Sequence, residues 1–226
     1  MTVIAYIPAR SGSKRLPGKN FIPFHNSKSL TEIALEFSRT CSFVDVTVLD
    51  TDNEEFLSYA KSKHLADKYI QRHELLAGDT CSTRDTLLHA LGVADICNSE
   101  CILLLQPTSP IRSAKLFNAM YEYYSDNDLS LLLASSHLPI SLTDIYYRKS
   151  FEKICARSET YDESQLFFDS GLAYFVSRDR LLHNNNCFAP LNKNEVFQVP
   201  LWMSIDIDHD YQFEMAQMLY SSQLNF

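Results

Sequence analysis

The stretch Val3-Ile4-Ala5-Tyr6-Ile7-Pro8-Ala9-Arg10-Ser11-Gly12-Ser13-Lys14-Arg15-Leu16-Pro17-Gly18-Lys19-Asn20 decides how the chain is read. Its opening run, Val3 to Ile7, is apolar without alternation, the pattern of a strand buried on both faces. A loop rich in cations and small residues follows at once. In an open α/β sheet, ligands bind beyond the carboxyl ends of strands, and this loop emerges there. Glycine lets a backbone approach phosphate closely, and Arg10, Lys14, Arg15 and Lys19 can together neutralise a triphosphate. A basic surface loop would have the same composition and is the plain alternative. A P-loop is excluded by spacing: five residues separate Gly12 from Gly18, Asn20 follows Lys19 where Ser or Thr is needed, and Pro17 interrupts the cradle.

Working outward, similar runs recur at Val44 to Leu49, Cys101 to Leu105, Leu129 to Ala134, Leu172 to Val176 and Met203 to Ile207. Between them lie helix-like segments. Ser29 with Glu32, Asp52 with Glu55 and Ser82 with Asp85 have capping-box spacing, and Leu116, Phe117, Met120 and Tyr124 share one face of a segment from Ala114 to Tyr124. Strand and helix alternate, which predicts an α/β, doubly wound, mainly parallel sheet in one domain over residues 1–226. The rhythm fails at about 137–168, read as an insertion that makes subunit and sugar contacts.

Composition narrows the function. A formal charge of −8 argues against nucleic acid as a partner, because affinity for a phosphate backbone comes from many cations acting together. Here positive charge is concentrated in one short loop, which suits a compact polyanion. The six cysteines form no CxxC pair and read as reduced thiols. The apolar run before Arg10 is too short for a signal segment or a membrane span, so the expectation is a cytoplasmic protein without a membrane partner.

Three further motifs bear on chemistry. In Ser204-Ile205-Asp206-Ile207-Asp208, strand geometry would turn Asp206 and Asp208 to one face, where two carboxylates can hold a hard cation. The rival reading makes Asp208 only a helix N-cap. Gln106-Pro107-Thr108-Ser109-Pro110-Ile111-Arg112 places a polar loop after a buried strand, and Gln106 can donate and accept towards a base or ribose. Arg72 and Thr83 flank a capped helix start suited to anions. His89, inside the apolar helix that follows, reads as a satisfied core residue.

Taken in order, IPARSGSKRLPGKN, RHELLAGDTCSTRDTLLHAL, LLLQPTSPIR and SIDID resemble the CMP-sialic acid synthetases, or acylneuraminate cytidylyltransferases. The resemblance covers most of the chain. It implies a nucleotide-binding α/β sheet with an inserted dimerisation element, a homodimer, CTP and a nonulosonic acid sugar as substrates, and Mg²⁺ as cofactor. It assigns Arg10, Ser13, Lys14, Lys19 and Asn20 to the CTP phosphates and ribose. Lys14, Lys19 and Asp208 are expected to act in catalysis, Arg72 and Thr83 to contact the nucleotide, Gln106 and Arg157 to contact the sugar, and Asp206 and Asp208 to bind metal. The implied reaction transfers CMP to the anomeric hydroxyl and releases pyrophosphate. Arg157-Ser158-Glu159-Thr160-Tyr161 and Asp169-Ser170-Gly171 depart from the sialic acid pattern, and the latter is similar to the Asp-Ala-Gly of pseudaminic acid cytidylyltransferases. A CMP-Kdo synthetase, another sugar nucleotidyltransferase or an inactive scaffold relative are the alternatives.

Overall fold

Burial on both faces of the first strand organises the molecule: Val3, Ala5, Ile7 and Ala9 enter one core while Ile4 and Tyr6 enter another. The computed structural model describes residues 1–78, 80–94, 96, 99–138, 146–147, 152–153 and 166–223. Its strands are β1 (Val3–Ala9), β2 (Pro23–His25), β3 (Lys28–Ser29), β4 (Val46–Thr51), β5 (Lys68–Gln71), β6 (Cys101–Leu104), β7 (Leu131–His137), β8 (Tyr146–Tyr147), β9 (Glu152–Lys153), β10 (Phe167–Ser177) and β11 (Val196–Gln198). Its α-helices are α1 (Leu30–Ser38), α2 (Glu54–Ser62), α3 (Glu74–Ala77), α4 (Thr83–Val93), α5 (Ala114–Asp126), α6 (Arg178–His183) and α7 (Asp210–Gln223).

Seven strands form one sheet in the order β11-β7-β10-β6-β1-β4-β5. All neighbours are parallel except β10, which runs antiparallel to β6 and β7. Helices cover both faces. Ala34 and Leu35 of α1, Phe56 and Leu57 of α2, and Phe117, Met120 and Tyr124 of α5 pack on one side. Leu87 and Leu91 of α4 and Leu181 of α6 pack on the other. The α/β, mainly parallel, doubly wound sheet expected from the sequence is therefore the fold observed. Because β4 and β6 flank β1 on opposite sides, a crevice opens at the carboxyl end of β1, the switch point where such sheets bind ligands.

Local chemistry explains the element starts. Ser29 and Glu32 form the full capping box, with the Ser29 Oγ accepting from the Glu32 N–H and the Glu32 carboxylate accepting from the Ser29 N–H. Ser82 caps α4. The expected cap at Asp52 is instead Asn53, one residue on, whose side chain accepts from the Phe56 N–H. Asp52 is engaged elsewhere, accepting from the Ser11 N–H at 2.8 Å.

One predicted strand is absent. Leu201–Met203 forms a 3-10 turn and residues 204–208 are irregular, where Met203 to Ile207 had read as a strand. Their backbone finds no ladder, because β11 already holds the sheet edge beside β7, and the Ile207 N–H donates instead to the Thr108 carbonyl. Ile207 is fully buried with Phe24, Ile33 and Ala216 in a small third core that ties α7 to the β2–β3 hairpin. The β7 and β10 strands pair through His137 and Phe167. Most of the stretch read as an insertion at about 137–168 lies outside the described residues, apart from the short β8–β9 ladder.

Candidate active site

The first loop is held in shape by its own backbone. Gly18 sits at φ +68°, in the left-handed region, and its carbonyl accepts from the N–H groups of Phe21 and Ile22. Asn20, 5% exposed, donates from Nδ2 to the Arg10 carbonyl and accepts at its own carbonyl from Thr31 of α1. Both ends of the cationic turn are thereby pinned, one across the other.

That turn meets the late acidic segment. Lys19 Nζ lies 2.9 Å from Asp208 Oδ1, and Arg15 Nη2 lies 2.8 Å from Asp208 Oδ2. Lys19 also donates to the Ile207 carbonyl. Partial burial opposes ionisation of Asp208, but Lys19, then Arg15 and His209, overcome it and hold the carboxyl below its ordinary value. Asp208 is thus not an N-cap: α7 begins at Asp210, and Gln212 Oε1 accepts from the N–H groups of Asp208 and His209.

A cavity of about 410 Å³ gathers these groups at the switch point. Arg10, Ser13, Lys14, Lys19, Asn20, Arg72, Thr83, Gln106, Asp206 and Asp208, every predicted site residue within the described part of the chain, line it. Arg157 lies outside the described residues. Five cations, Arg15 included, face two carboxylates, which suits a polyanion accompanied by a cation.

The sequence matches the Cytidylyltransferase family over residues 4–222. The chain belongs to the cytidylyltransferase family. Among similar proteins, a pseudaminic acid cytidylyltransferase of Campylobacter jejuni is 27% identical over 97% of this chain and 97% of its own. A CMP-N,N'-diacetyllegionaminic acid synthase of Legionella pneumophila is 26% identical over 97% of this chain and 96% of its own. A structure of CMP:2-keto-3-deoxy-manno-octonic acid synthetase complexed with CTP superposes with a TM-score of 0.69 at 16% identity, covering 99% of this chain and all of the other, and shares the fold. The enzyme is therefore a nucleotidyltransferase.

Several residues of this cytidylyltransferase escaped sequence reasoning. Asp50, 1% exposed at the end of β4, accepts from Arg72 Nε at 3.0 Å and from the Tyr6 hydroxyl, so Arg72 reaches the cavity as half of a buried ion pair. Burial, and then the Asp50 charge, push the Tyr6 hydroxyl well above its usual range. The available signal was a lone carboxylate ending a buried strand, which cannot stay ionised there without a partner. Gly171, at φ +69° where the β10–β7 register slips, was read only as part of a motif. A Cβ there would lie 3.3 Å from Ser109 Oγ and 3.7 Å from Asp206 Cγ, so the bulge lets the Gln106–Arg112 loop and Asp206 close together. His89 is half-buried, and among the described residues its Nδ1 has no hydrogen-bond partner, which departs from the satisfied core histidine expected.

A divalent cation fits the residues present. Among the described residues Asp206 Oδ1 is buried without a hydrogen-bond partner, an acceptor with lone pairs left for a cation. Among the described residues no group of three or more His, Cys, Asp or Glu could cage a metal alone. A carboxylate pair completed by phosphate oxygens and water is the usual arrangement for Mg²⁺.

Proposed function

We propose that this cytidylyltransferase transfers CMP from CTP to the anomeric hydroxyl of a nonulosonic acid and releases pyrophosphate. The observation that carries the reading is the meeting of the Arg10–Asn20 turn with Asp206 and Asp208 in one cavity, through the 2.9 Å Lys19–Asp208 contact. The names of the relatives above support the acceptor class.

In this reading the anomeric oxygen forms a bond to the α-phosphorus while the bond between that phosphorus and the bridging oxygen of the β-phosphate breaks. The hydroxyl proton is released, and pyrophosphate carries away the electron pair. Positioning and charge neutralisation supply most of the acceleration. Lys14 and Lys19 take up charge growing on the leaving group, Arg10, Ser13 and Asn20 hold the phosphates and ribose, and Arg72 and Thr83 hold the nucleotide. Gln106 orients the sugar, with Arg157 as a further sugar contact. Mg²⁺ would be held by Asp206 and Asp208 and would polarise the α-phosphoryl group. The protein works in the cytoplasm as a homodimer on this reading. Among the described residues no helix is long and apolar enough to cross a membrane.

The test is pyrophosphate release from CTP and Mg²⁺ with N-acetylneuraminic, legionaminic and pseudaminic acids offered separately. At least one should be turned over. Release with none of them, but with 2-keto-3-deoxy-manno-octonic acid, would move the assignment to that acceptor.

A further inference from the structure

A second cavity, of about 460 Å³, adjoins the first, and the two share Ser82 and Thr83. Its walls are built, not incidental. Arg180, 6% exposed, donates to the carbonyls of Cys187 and Ala189 and pairs with Glu195, which fixes the far wall. Arg84 donates to the carbonyls of Leu181 and Leu182, tying the start of α4 to α6. Much of the lining is apolar, from Leu133, Phe167, Phe188 and Pro190. Against that surface stands one carboxylate, Asp169.

Asp169 is wired to the first cavity. Its Oδ2 accepts from the Tyr174 hydroxyl at 2.6 Å and its Oδ1 accepts from the Gly171 N–H at 3.0 Å. Gln106 and Asp206, both in the lining of the first cavity, lie beside the same Tyr174 hydroxyl. Among the described residues each carboxylate oxygen therefore has one donor, which leaves a lone pair for a ligand.

We propose that Asp169 is a specificity-determining residue that accepts a hydrogen bond from an amide N–H of the acceptor, so that the chain takes acylamino-bearing nonulosonic acids in preference to polyhydroxy keto acids. The inference rests on the nonulosonic acid reading above. An acceptor of that class carries its own carboxylate, which Asp169 repels and the Arg10–Asn20 cations attract, so the opposite side of the sugar faces Asp169. An acylamino group there satisfies both features of the wall: its N–H meets the carboxylate and its methyl meets the aromatic rings. A hydroxyl satisfies only the first. Asp169→Asn turns a donor towards the ligand, since its single remaining oxygen is needed by the Gly171 N–H.

The test compares steady-state kinetics of the full-length wild type, Asp169→Asn and Asp169→Ser with pseudaminic acid and with 2-keto-3-deoxy-manno-octonic acid, alongside thermal melts. Wild type should favour pseudaminic acid by at least about 100-fold in kcat/KM. Asp169→Asn should lose about tenfold or more of that preference through a raised acceptor KM, with the CTP KM unchanged within about twofold and melting unaltered. Turnover of pseudaminic acid by wild type with acceptor KM unchanged in both variants would overturn the role of Asp169 alone. Equal losses for both acceptors, or a CTP KM that rises in step, would make Asp169 structural. Failure of wild type with every nonulosonic acid would overturn the functional reading and this inference together.

Discussion

Asp50→Ala removes a carboxylate that never touches the cavity, yet it should be among the most damaging single changes in the chain. Arg72 and Asp50 are 6% and 1% exposed, so the guanidinium left behind loses its buried partner and keeps only its small cavity-facing surface and the Asp52 charge. Among the described residues Arg72 would keep its bond to the Asp50 main-chain carbonyl at 3.2 Å, and the Tyr6 hydroxyl would lose its Asp50 acceptor. Removing one partner of such a pair typically costs about 3–5 kcal/mol. For a chain of this length each kcal/mol moves Tm by roughly 2–4 °C, so a fall of roughly 6–20 °C is expected. Urea and thermal denaturation followed by circular dichroism measure it. Asp50→Asn, whose single amide oxygen keeps an acceptor for one partner and turns an N–H towards the other, should fall between. The paired replacement Asp50→Leu with Arg72→Met should regain most of the stability, because hydrophobic substitutes for a whole buried pair are often neutral, while CTP recognition stays impaired. A loss under about 1 kcal/mol for Asp50→Ala would refute the account of Arg72 as an ion-pair-anchored residue.

Two other changes probe the cavity directly. Asp208→Ala should reduce turnover by about 10²-fold or more, judged against the loss of a single transition-state contact, while costing no more than about 1 kcal/mol, since Asp208 and Arg15 are 31% and 59% exposed. Because Lys19 and Arg15 hold the Asp208 carboxyl below its ordinary value, the stability difference between wild type and variant should be full at neutral pH and vanish as pH falls through the folded-state value; denaturation across an acid pH series checks the sign. Burial pushes the thiols of Cys41 and Cys101 up to about 11 and about 12, and that of Cys187 upward, whereas Cys81 is only half-buried and lines the first cavity. Iodoacetamide labelling read by peptide mapping should therefore mark Cys81 fastest of these four, and CTP with Mg²⁺ should slow it; equal rates with and without nucleotide would place the nucleotide elsewhere.

The cationic loop was legible because four positive side chains in an acidic protein are a local anomaly, and because the apolar run before them has only one sensible place in an α/β sheet. Asp206 and Asp208 were legible as residues but not as a strand. Alternation of Ile and Asp gives the same pattern in a strand and in an irregular segment whose isoleucines fall into a core, as Ile207 does. The short strands β2, β3, β5 and β11 had too few residues to establish any period, and β5 and β11 lie at sheet edges where one side lacks a neighbour. The Asp50–Arg72 pair and the Asp169–Tyr174 bond were hidden for different reasons. The first pair is 22 residues apart and joins β4 to the residue just past β5, and the second depends on a register slip that no local propensity encodes.

The arrangement around Asp208 also constrains how a nucleotide enters. Both oxygens of that carboxylate are held by cations, Lys19 on one and Arg15 on the other, which offsets part of the charge of each. A triphosphate arriving alone would draw Lys19 and Arg15 away and leave Asp208 facing phosphate oxygens, like charge against like. On the proposed reading, a triphosphate arriving with its divalent cation exchanges partners without that cost, since Asp208 gives up two cations and receives another while Asp206 Oδ1 gains the partner it lacks. CTP should therefore bind far more weakly to the metal-free protein than to the metal-loaded one, and Asp208→Ala should narrow that difference by relieving the repulsion.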